Sequence, residues 1–353
     1  MRIAIIGAGP AGLAAALTLR QHTVEVFEKS RGVSGRAASR GRETPAGIWR
    51  YDHGANYLTA PEGSAAAELL AGALAPAGPV ELKGRIWTFD GSGRLAAGDP
   101  ERDAVPKWTF PDGISRLGKQ LAAASGAAVH TGMAVTRLAA ARGGWTLEFE
   151  DGSHRERFDA VLLTPPAPQS ADLLAHSTVE ADLRTVLVDG LRAAPYRAQF
   201  SAILAFDERL RRPAGDAYAY VNTDGEHPLA WVAFEEDKPG HVPPGCSLLV
   251  VQASAGWTVS NYDLPFENVA IQAQGLVEKL FDQELPAAAW TDVQRWRYAL
   301  PAGPASGVAL ASGAAHGLYF AGDFIGGRGR IHEALAYGIE TGRTIDQTFQ
   351  SSP

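Results

Sequence analysis

The first residues with recognisable chemistry are three glycines near the start of the chain. Gly7, Gly9 and Gly12 follow a β-branched run, Arg2–Ile6, and precede an Ala/Leu-rich stretch typical of a helix. In such a strand–turn–helix the first glycine permits the tight turn and the second lets a pyrophosphate approach the backbone. The third lets helix and strand pack closely. The pattern therefore predicts a dinucleotide-binding turn.

The residues after this turn predict where the rest of a dinucleotide would lie. A helix that starts at Pro10 and Ala11 would present the positive end of its dipole to the phosphates. The next predicted strand, Val24–Glu28, ends in a carboxylate that can accept hydrogen bonds from both hydroxyls of an adenosine ribose. Arg36, in the basic loop that follows, is a candidate for a charge-assisted contact with the pyrophosphate.

A second acidic position lies at a strand end near the C-terminus. The predicted strand Leu318–Ala321 is followed by Gly322 and Asp323, a Gly/Arg-rich loop and a helix from about Glu333. Asp323 could accept a hydrogen bond from a ribityl hydroxyl, and the helix N-terminus could place positive potential beside a reduced flavin ring. Combined with the N-terminal glycines, this motif favours FAD over NAD.

Several aromatic residues could form a wall for a planar substrate. For each of them, packing in a hydrophobic core is the alternative interpretation. The candidates are Tyr57, Trp108, Trp231, Trp257, Trp296 and Tyr298.

The elements that must position these residues predict an α/β fold with two interleaved domains. The FAD-binding domain would comprise residues 1–80, 106–168 and 292–353, and a mixed α+β substrate domain would comprise residues 81–105 and 169–291. Arg31–Thr44 is predicted as a loop. Periodicity and turn residues predict the other elements: a hairpin at Arg85–Leu95, helices at Ala65–Leu74, Ile114–Ala124 and Asn268–Phe281, and strands at Val135–Leu138, Trp145–Phe149, Ala160–Leu163, Ser201–Phe206, Leu229–Phe234 and Leu248–Gln252.

Composition excludes several classes of function. The chain has 353 residues with a net charge of −7, and it has no Lys/Arg block, which argues against nucleic acid or an anionic membrane as partner. A single cysteine, Cys246, excludes an internal disulfide or a cysteine-based metal site. The uncharged stretch Ile3–Leu19 contains the glycine turn and does not read as a signal peptide, so a cytoplasmic location is expected.

With these residues in place, the chain resembles the monoamine oxidase/renalase superfamily of flavoproteins, and most closely its bacterial renalase-like branch. The resemblance runs nearly end to end. The motifs that carry it are Glu28–Gly32 with Gly35-Arg36, Asp52-x-Gly54-Ala55-x-Tyr57-x-Thr59, Thr164–Gln169, Arg295–Gly303 and Gly322-Asp323.

The resemblance implies non-covalent FAD in a domain like that of p-hydroxybenzoate hydroxylase. It implies that Gly54 and Ala55 run close to the isoalloxazine and that the backbone of Val135 touches the adenine. The further cofactor-binding residues that it implies are Lys29, Gly35, Asn56, Thr164, Arg330 and Ile331.

The activity implied by the resemblance is that of an oxidase. Bacterial renalases take a hydride from the 2- or 6-dihydro isomers of NAD(P) onto flavin and pass the electrons to O2, giving H2O2. The candidate substrate-pocket residues are Gln252, Trp257, Trp296, Tyr298 and Arg330, none of which is an obvious acid or base.

Some positions depart from the family pattern and leave the substrate open. Gln252 replaces a histidine, Asn56 replaces a glutamine, and Glu235 stands where amide or basic residues are expected. Arg328 and Arg330 favour a phosphate-bearing substrate, whereas Glu235 would favour an amine if it lined the pocket. The alternatives are therefore a flavin amine oxidase or dehydrogenase of another small metabolite, and a non-redox flavin-binding protein.

Overall fold

The computed structural model describes residues 1–141 and 143–350. The helices are α1 Pro10–Thr18, α2 Ala65–Ala71, α3 Pro100–Ala104, α4 Arg116–Ser125, α5 Ala167–Ala175, α6 Ala181–Arg192, α7 Ala255–Ser260, α8 Phe266–Phe281, α9 Gly307–Ala311 and α10 Ile331–Gln350. The strands are β1 Arg2–Ile6, β2 Thr23–Glu28, β3 Ser39–Thr44, β4 Gly47–Asp52, β5 Leu58–Thr59, β6 Val80–Glu81, β7 Arg85–Phe89, β8 Leu95–Ala96, β9 Lys107–Thr109, β10 Ala128–Thr131, β11 Val135–Ala141, β12 Gly144–Phe149, β13 His154–Phe158, β14 Ala160–Leu163, β15 Tyr196–Phe206, β16 Ala217–Asn222, β17 Leu229–Phe234, β18 Ser247–Ala253, β19 Trp290–Pro301 and β20 Leu318–Phe320. Short 3-10 turns occur at Ala75–Ala77, Glu235–Asp237 and Ala314–His316.

A five-stranded parallel sheet, in the order β10-β2-β1-β14-β20, forms the nucleotide-binding half of the molecule. Side chains of β1 alternate between two hydrophobic cores. Ile3 and Ile5 pack with α1, α4 and α10, whereas Ala4 and Ile6 pack with α5, α6 and the small sheet of β11, β12 and β13. A strand buried on both faces explains the continuous apolar run in the sequence.

Glycines bring α10 into close contact with α1. A Cβ at Gly338 would lie 2.2 Å from the carbonyl oxygen of Ala11, and a Cβ at Gly342 would lie 2.9 Å from Cβ of Thr18. The two helix axes can approach closely only because these positions lack side chains. Ala11, at the start of α1, therefore packs against Gly338, about two turns into α10.

A seven-stranded mixed sheet, in the order β19-β15-β18-β17-β16-β7-β8, forms the second half. One face packs Phe200, Val251 and neighbouring residues against α7 and α8, and we call it the outer face. The opposite, inner face meets the β3–β4 hairpin through Trp49 and Tyr51. The inner face also carries Trp231, which packs against Tyr57.

Most predicted elements are confirmed within one or two residues, including the first βαβ unit, the β7–β8 hairpin and α8. Within the described residues, no helix is both long and apolar enough to cross a membrane.

Three predictions about the chain's organisation were wrong. Helices α5 and α6 were not predicted, and they pack on the parallel sheet, so the domain boundary placed after residue 168 is too early. All of β19 pairs with β15 in the seven-stranded sheet, so the boundary placed at 292 is also too early. Part of the predicted loop Arg31–Thr44 is β3, which pairs with β4; its mostly exposed polar residues carry no strand periodicity.

Candidate functional site

Most of the predicted cofactor residues gather at one edge of the parallel sheet. Strands β1, β2, β14 and β20 run parallel, so their carboxyl ends share that edge. The glycine turn follows β1, Glu28 ends β2, Thr164 follows β14, and Gly322 and Asp323 follow β20. Ligands of open α/β sheets bind at this edge.

The glycine turn has the geometry expected of a phosphate-binding loop. Gly7 has a φ of +100°, and its N–H donates to the carbonyl oxygen of Phe27 at 2.8 Å. A Cβ at Gly12 would lie 2.1 Å from the carbonyl oxygen of Gly7, whereas a Cβ at Gly9 would meet nothing within 4 Å. Gly12 therefore serves close packing, and Gly9 leaves the approach to the N-terminus of α1 open.

Thr164 supports this turn from behind. Its hydroxyl donates towards the carbonyl oxygens of Ile6 and Gly7, at 2.8 and 3.1 Å. A Cβ at Gly7 would lie only 2.5 Å from that hydroxyl oxygen. The side chain of Thr164 thus positions the loop that would hold a cofactor.

A second glycine loop lies against the first. Gly35 has a φ of +54°, and a Cβ there would lie 3.3 Å from Cα of Gly9. The N–H of Ser34 donates to the carbonyl oxygen of Ala8 at 2.7 Å, which ties the two loops together. The two loops therefore pack directly against each other, and a side chain at Gly35 would crowd Gly9.

Glu28 occupies the position predicted for ribose binding. Its buried carboxylate accepts hydrogen bonds from the N–H of Ala8 at 2.9 Å and of Ser30 at 2.8 Å. A carboxylate has further lone pairs, so these bonds leave capacity for ribose hydroxyls. Lys29 next to it is exposed. Val135 starts β11 close by, since the N–H of Met133 donates to the carbonyl oxygen of Glu28.

Arg36 and Asp323 form an ion pair that joins the two ends of the chain. Nη2 of Arg36 lies 2.7 Å from Oδ1 of Asp323, and Nη1 donates to the carbonyl oxygen of Ala299 at 3.0 Å. The guanidinium also lies over the ring of Tyr196, which packs edge-on against Tyr298. Burial and the nearby Asp323 carboxylate raise the pKa of Tyr196 to about 12. Arg36, predicted to bind the pyrophosphate, and Asp323, predicted to bind the ribityl chain, are therefore in direct contact.

The segment from Asp52 to Tyr57 lies between this pair and the inner face of the seven-stranded sheet. The N–H of Ala55 donates to the carbonyl oxygen of Arg36 at 3.0 Å, and a Cβ at Gly54 would lie 2.0 Å from that oxygen. Nε2 of Gln252 donates to the carbonyl oxygen of Gly54 at 2.8 Å. Nδ2 of Asn56 reaches the same carbonyl at 3.4 Å. Gln252, predicted as a pocket residue, thus holds the backbone of this segment.

Trp296 holds the neighbouring peptide. Its Nε1 donates to the carbonyl oxygen of His53 at 2.9 Å, and its ring stacks on the His53 ring with centroids 5.4 Å apart. Burial lowers the pKa of His53 to about 4, so its imidazole is neutral at pH 7. Nδ1 of His53 has no hydrogen-bond partner within the described ranges.

Other buried polar atoms around this segment also lack partners in the part of the chain that the structure describes. They are Oδ1 of Asn56, Oγ of Ser201, the hydroxyl of Tyr218 and Nε1 of Trp231. Unsatisfied buried groups are uncommon in folded proteins, and each requires an explanation such as a bound ligand, a water molecule or an ion. A flavin and a planar substrate, with their carbonyl and ring N–H groups, fit this donor and acceptor set.

The aromatic candidates divide between the site and the cores. Tyr57, Tyr218 and Trp231 form a cluster, with ring centroids 6.1 to 6.5 Å apart. Trp257 packs against Phe200 in the core of the outer face, so its assignment to the substrate pocket was wrong. The reason is that Trp257 lies on α7, which covers the side of the sheet opposite Gln252 and Trp296.

Trp108 also belongs to a core, because it lies in β9 and packs against the residues buried beneath α1 and α4.

The Gly/Arg loop before α10 contains two arginines, Arg328 and Arg330, whose electrostatic surroundings differ. Arg328 pairs with Glu333 at 2.5 Å. Arg330 is exposed and has no carboxylate within ion-pair distance among the described residues. Burial raises the pKa of Tyr57, and the positive charge of Arg330 opposes that rise. Ile331, the first residue of α10, is buried.

A buried cluster of four ionisable residues, which we call the ionic cluster, was not predicted. Lys238 Nζ lies 2.8 Å from Oδ2 of Asp52 and 2.9 Å from Oε2 of Glu235, and Nδ1 of His241 lies 2.9 Å from Oε1 of Glu235. All four side chains are 0% exposed. Asp52, Glu235 and His241 could by themselves ligate a metal, but the Lys238 ammonium already supplies positive charge between the carboxylates. A run of charged residues directly after the apolar strand β17 was the available signal.

Comparisons with known proteins agree with this architecture. Residues 81–345 match the sequence profile of the family described as flavin containing amine oxidoreductase, and residues 5–73 match that of an NAD(P)-binding Rossmann-like domain. Among solved structures, the chain is similar to a reduced UDP-galactopyranose mutase, with a TM-score of 0.75 at 14% identity, covering 99% of this chain and 94% of that one.

Two further solved structures share the fold. A fatty acid isomerase from P. acnes aligns with a TM-score of 0.69 at 16% identity, covering 99% of this chain and 98% of that one. A redesigned putrescine oxidase aligns with a TM-score of 0.68 at 13% identity, covering 99% of both chains. The overall fold is thus shared with proteins whose described activities differ.

Proposed function

The chain belongs to the flavin containing amine oxidoreductase family, and from that premise we propose that it is an FAD-dependent oxidase of the renalase-like branch. Its substrate would be a small reduced metabolite, the 2- or 6-dihydro isomers of NAD(P). When bound, the flavin would supply the redox chemistry: it would accept a hydride from the substrate and pass the electrons to O2, giving H2O2.

The residues at the sheet edge can hold FAD without a covalent bond. The glycine turn and the N-terminus of α1 would bind the pyrophosphate, and Glu28 would accept hydrogen bonds from the ribose. Asp323, paired with Arg36, would accept one from the ribityl chain. Cys246 is buried in the core beneath the β3–β4 hairpin, away from these residues. Acid precipitation is therefore expected to release the flavin.

The observation that carries the substrate proposal is the character of the inner face. It presents Tyr218, Trp231 and Ser201, and Tyr57 packs against it; all four are aromatic or uncharged polar groups. Glu235, whose carboxylate would favour an amine, is fully buried and committed to the ionic cluster. A planar substrate that already carries a transferable hydride needs no general base, and the exposed Arg330 could bind its phosphates.

The second candidate is an amine oxidase, and the description of the family itself favours it. The aromatic cluster of Tyr57, Tyr218 and Trp231 could enclose a substituted amine as well as a nicotinamide ring. A non-redox flavin-binding protein is the third, and steady H2O2 release with any substrate would exclude it.

An anaerobic bleaching experiment separates these candidates. We expect the isomeric dihydronicotinamide nucleotides to bleach the flavin absorbance rapidly, ordinary NADH to do so slowly, and air to restore the colour with release of H2O2. Rapid bleaching by simple amines, without bleaching by the nucleotides, would replace the renalase-like assignment with the amine oxidase one.

The two arginines before α10 provide a matched test of the phosphate site. Arg330→Ala is expected to raise KM about ten- to a hundredfold with a smaller change in kcat, because it removes a charge-assisted bond made in the ground state too. Arg328→Ala, which breaks the ion pair with Glu333, should leave KM within about twofold. Equal effects of both substitutions would remove Arg330 from the substrate.

A further inference from the structure

We propose that the ionic cluster of Asp52, Glu235, Lys238 and His241 is a positioning device that sets the Asp52–Asn56 segment against the flavin. Lys238 is its central residue, because it touches both carboxylates. The inference rests on the proposed function only for the location of the flavin beside this segment.

The cluster is balanced in charge and its hydrogen bonds are nearly complete. Nδ1 of His241 faces the Glu235 carboxylate at 2.9 Å, and Nε2 faces the carbonyl oxygen of Phe110 at 2.9 Å. Both ring nitrogens face acceptors, so both carry hydrogen and the ring is an imidazolium. Two carboxylates thus offset one ammonium and one imidazolium, in a place from which water is excluded.

Asp52 is held from every side. Its Oδ1 accepts hydrogen bonds from the Ser39 hydroxyl at 2.6 Å and from the N–H of Ile114 at 2.9 Å, and its Oδ2 accepts from Lys238 at 2.8 Å. Its own N–H donates to Oε1 of Glu235 at 2.8 Å. The β3–β4 hairpin, the turn before α4 and the segment after β17 therefore converge on one residue.

The residues after Asp52 are attached to the same sheet. The carbonyl oxygen of His53 accepts from Trp296, and that of Gly54 accepts from Gln252. The segment is thus fixed to the seven-stranded sheet at one end by the ionic cluster and at the other by two neutral side chains. A shift at Asp52 would move the peptides of His53 and Gly54, which lie two residues or fewer along the chain.

Stability alone does not account for four buried charges. Burying an ion pair costs desolvation free energy that its attraction only partly recovers, and apolar replacements are often neutral or stabilising. The geometry points instead to precise positioning, since Lys238 joins Glu235 in its own turn to Asp52, which lies 186 positions away in the sequence.

Two variants test the proposal. Lys238→Met leaves two carboxylates against one imidazolium and is expected to fold poorly. Asp52→Asn with Lys238→Met removes one charge of each sign, leaves Glu235 paired with His241, and should retain a stable fold. In this double variant we expect altered visible absorption of the bound flavin and a shifted midpoint potential. The rate constant for flavin reduction should fall about ten- to a hundredfold with little change in KM.

Arg212→Met is the matched control. Arg212 forms a bidentate pair with Asp237 in the same 3-10 turn that contains Glu235, and it lies over the ring of Phe234, which belongs to the core of the outer face. Its loss should lower thermal stability and leave the flavin spectrum and potential unchanged. The same spectral change in Arg212→Met as in the double variant would show that any local destabilisation suffices, and would overturn the inference.

Further outcomes would overturn either the positioning role or the proposed function. A double variant with the wild-type flavin spectrum and potential would overturn the positioning role, as would failure of both cluster variants to fold while Arg212→Met folds. Wild-type protein that binds no flavin, even when supplied with FAD, would instead overturn the proposed function itself.

Discussion

The carboxylate of Glu28 has a structural role in addition to any role in ligand binding, because it accepts hydrogen bonds from two backbone N–H groups. Glu28→Ala is therefore expected to weaken FAD binding and also to lower the thermal stability of the apoprotein. Losing a charge-assisted hydrogen bond costs about 1.5–3 kcal/mol, so FAD affinity should fall about ten- to a hundredfold. Flavin titration of the apoprotein measures it, and excess FAD should restore activity.

Glu25→Ala provides the comparison for Glu28. Glu25 lies on the same strand and pairs with Arg2 at 2.7 Å, on the side of β2 away from the glycine turn. Its loss should lower stability without changing FAD affinity. Full flavin occupancy in Glu28→Ala would show that the ribose does not depend on this carboxylate.

At the level of single residues, the sequence predicts contacts made within a turn better than contacts made across the molecule. Gly7, Gly12 and Glu28 act on backbone a few residues away or on the adjacent strand, so their spacing alone carries information. Gln252 holds Gly54 across 198 positions, and Lys238 holds Asp52 across 186. No local pattern encodes such pairs, since they depend on how the two sheets meet.

At the level of elements, the packing of α10 on α1 holds both helices against the same face of the parallel sheet, so a change in this packing would move the glycine turn at the start of α1. Gly338→Ala would place a Cβ 2.2 Å from the carbonyl oxygen of Ala11 and force the helices apart. We expect a loss of about 1–3 kcal/mol in the free energy of unfolding, together with weaker FAD binding. Urea unfolding and flavin titration measure the two effects.

Gly275→Ala is the matched substitution for Gly338→Ala. Gly275 lies in α8, and a Cβ there would meet nothing within 4 Å. Alanine has the higher helix propensity, so this variant should gain up to about 1 kcal/mol. If Gly338→Ala were equally harmless, the close approach of α1 and α10 would be incorrect.

Elements with a clear hydrophobic pattern in the sequence were predicted well, and elements that depend on tertiary packing were not. The buried run of β1 and the amphipathic pattern of α8 are visible in the sequence. Strand β3 is mostly exposed and polar, and α5 starts at a Pro-rich stretch that reads as a loop. Both depend on partners elsewhere in the chain, namely β4 and the parallel sheet.

For the whole molecule, His241 makes the junction between the two sheets sensitive to pH. Burial and the positive charge of Lys238 lower the pKa of His241. The hydrogen bond to Glu235 and the negative charges of Glu235 and Asp52 outweigh them, so the pKa lies above the usual 6.5. A group with a raised folded-state pKa stabilises fully below its unfolded pKa and loses that contribution as the pH rises through the folded value. Stability should therefore decline on the alkaline side of pH 6.5.

Urea unfolding at about pH 6 and about pH 9 measures this decline. His241→Gln should reduce the difference between the two conditions, because it removes the titrating group. His22→Gln, which removes a partly exposed contact with Asp346, should preserve it. An unchanged pH dependence in His241→Gln would assign the decline to other groups.

The ion pair between Arg36 and Asp323 joins residues 287 positions apart. The two residues are therefore synthesised at widely separated times. During synthesis the glycine turn and α1 leave the ribosome long before β20 and α10 are made. Until then the apolar side of α1 that α10 will cover has no permanent partner, and the loop after β20 is missing. If the proposed FAD site is correct, a nascent chain acquires all of its cofactor contacts only after Asp323 and α10 have been made, so FAD binding would come late in synthesis.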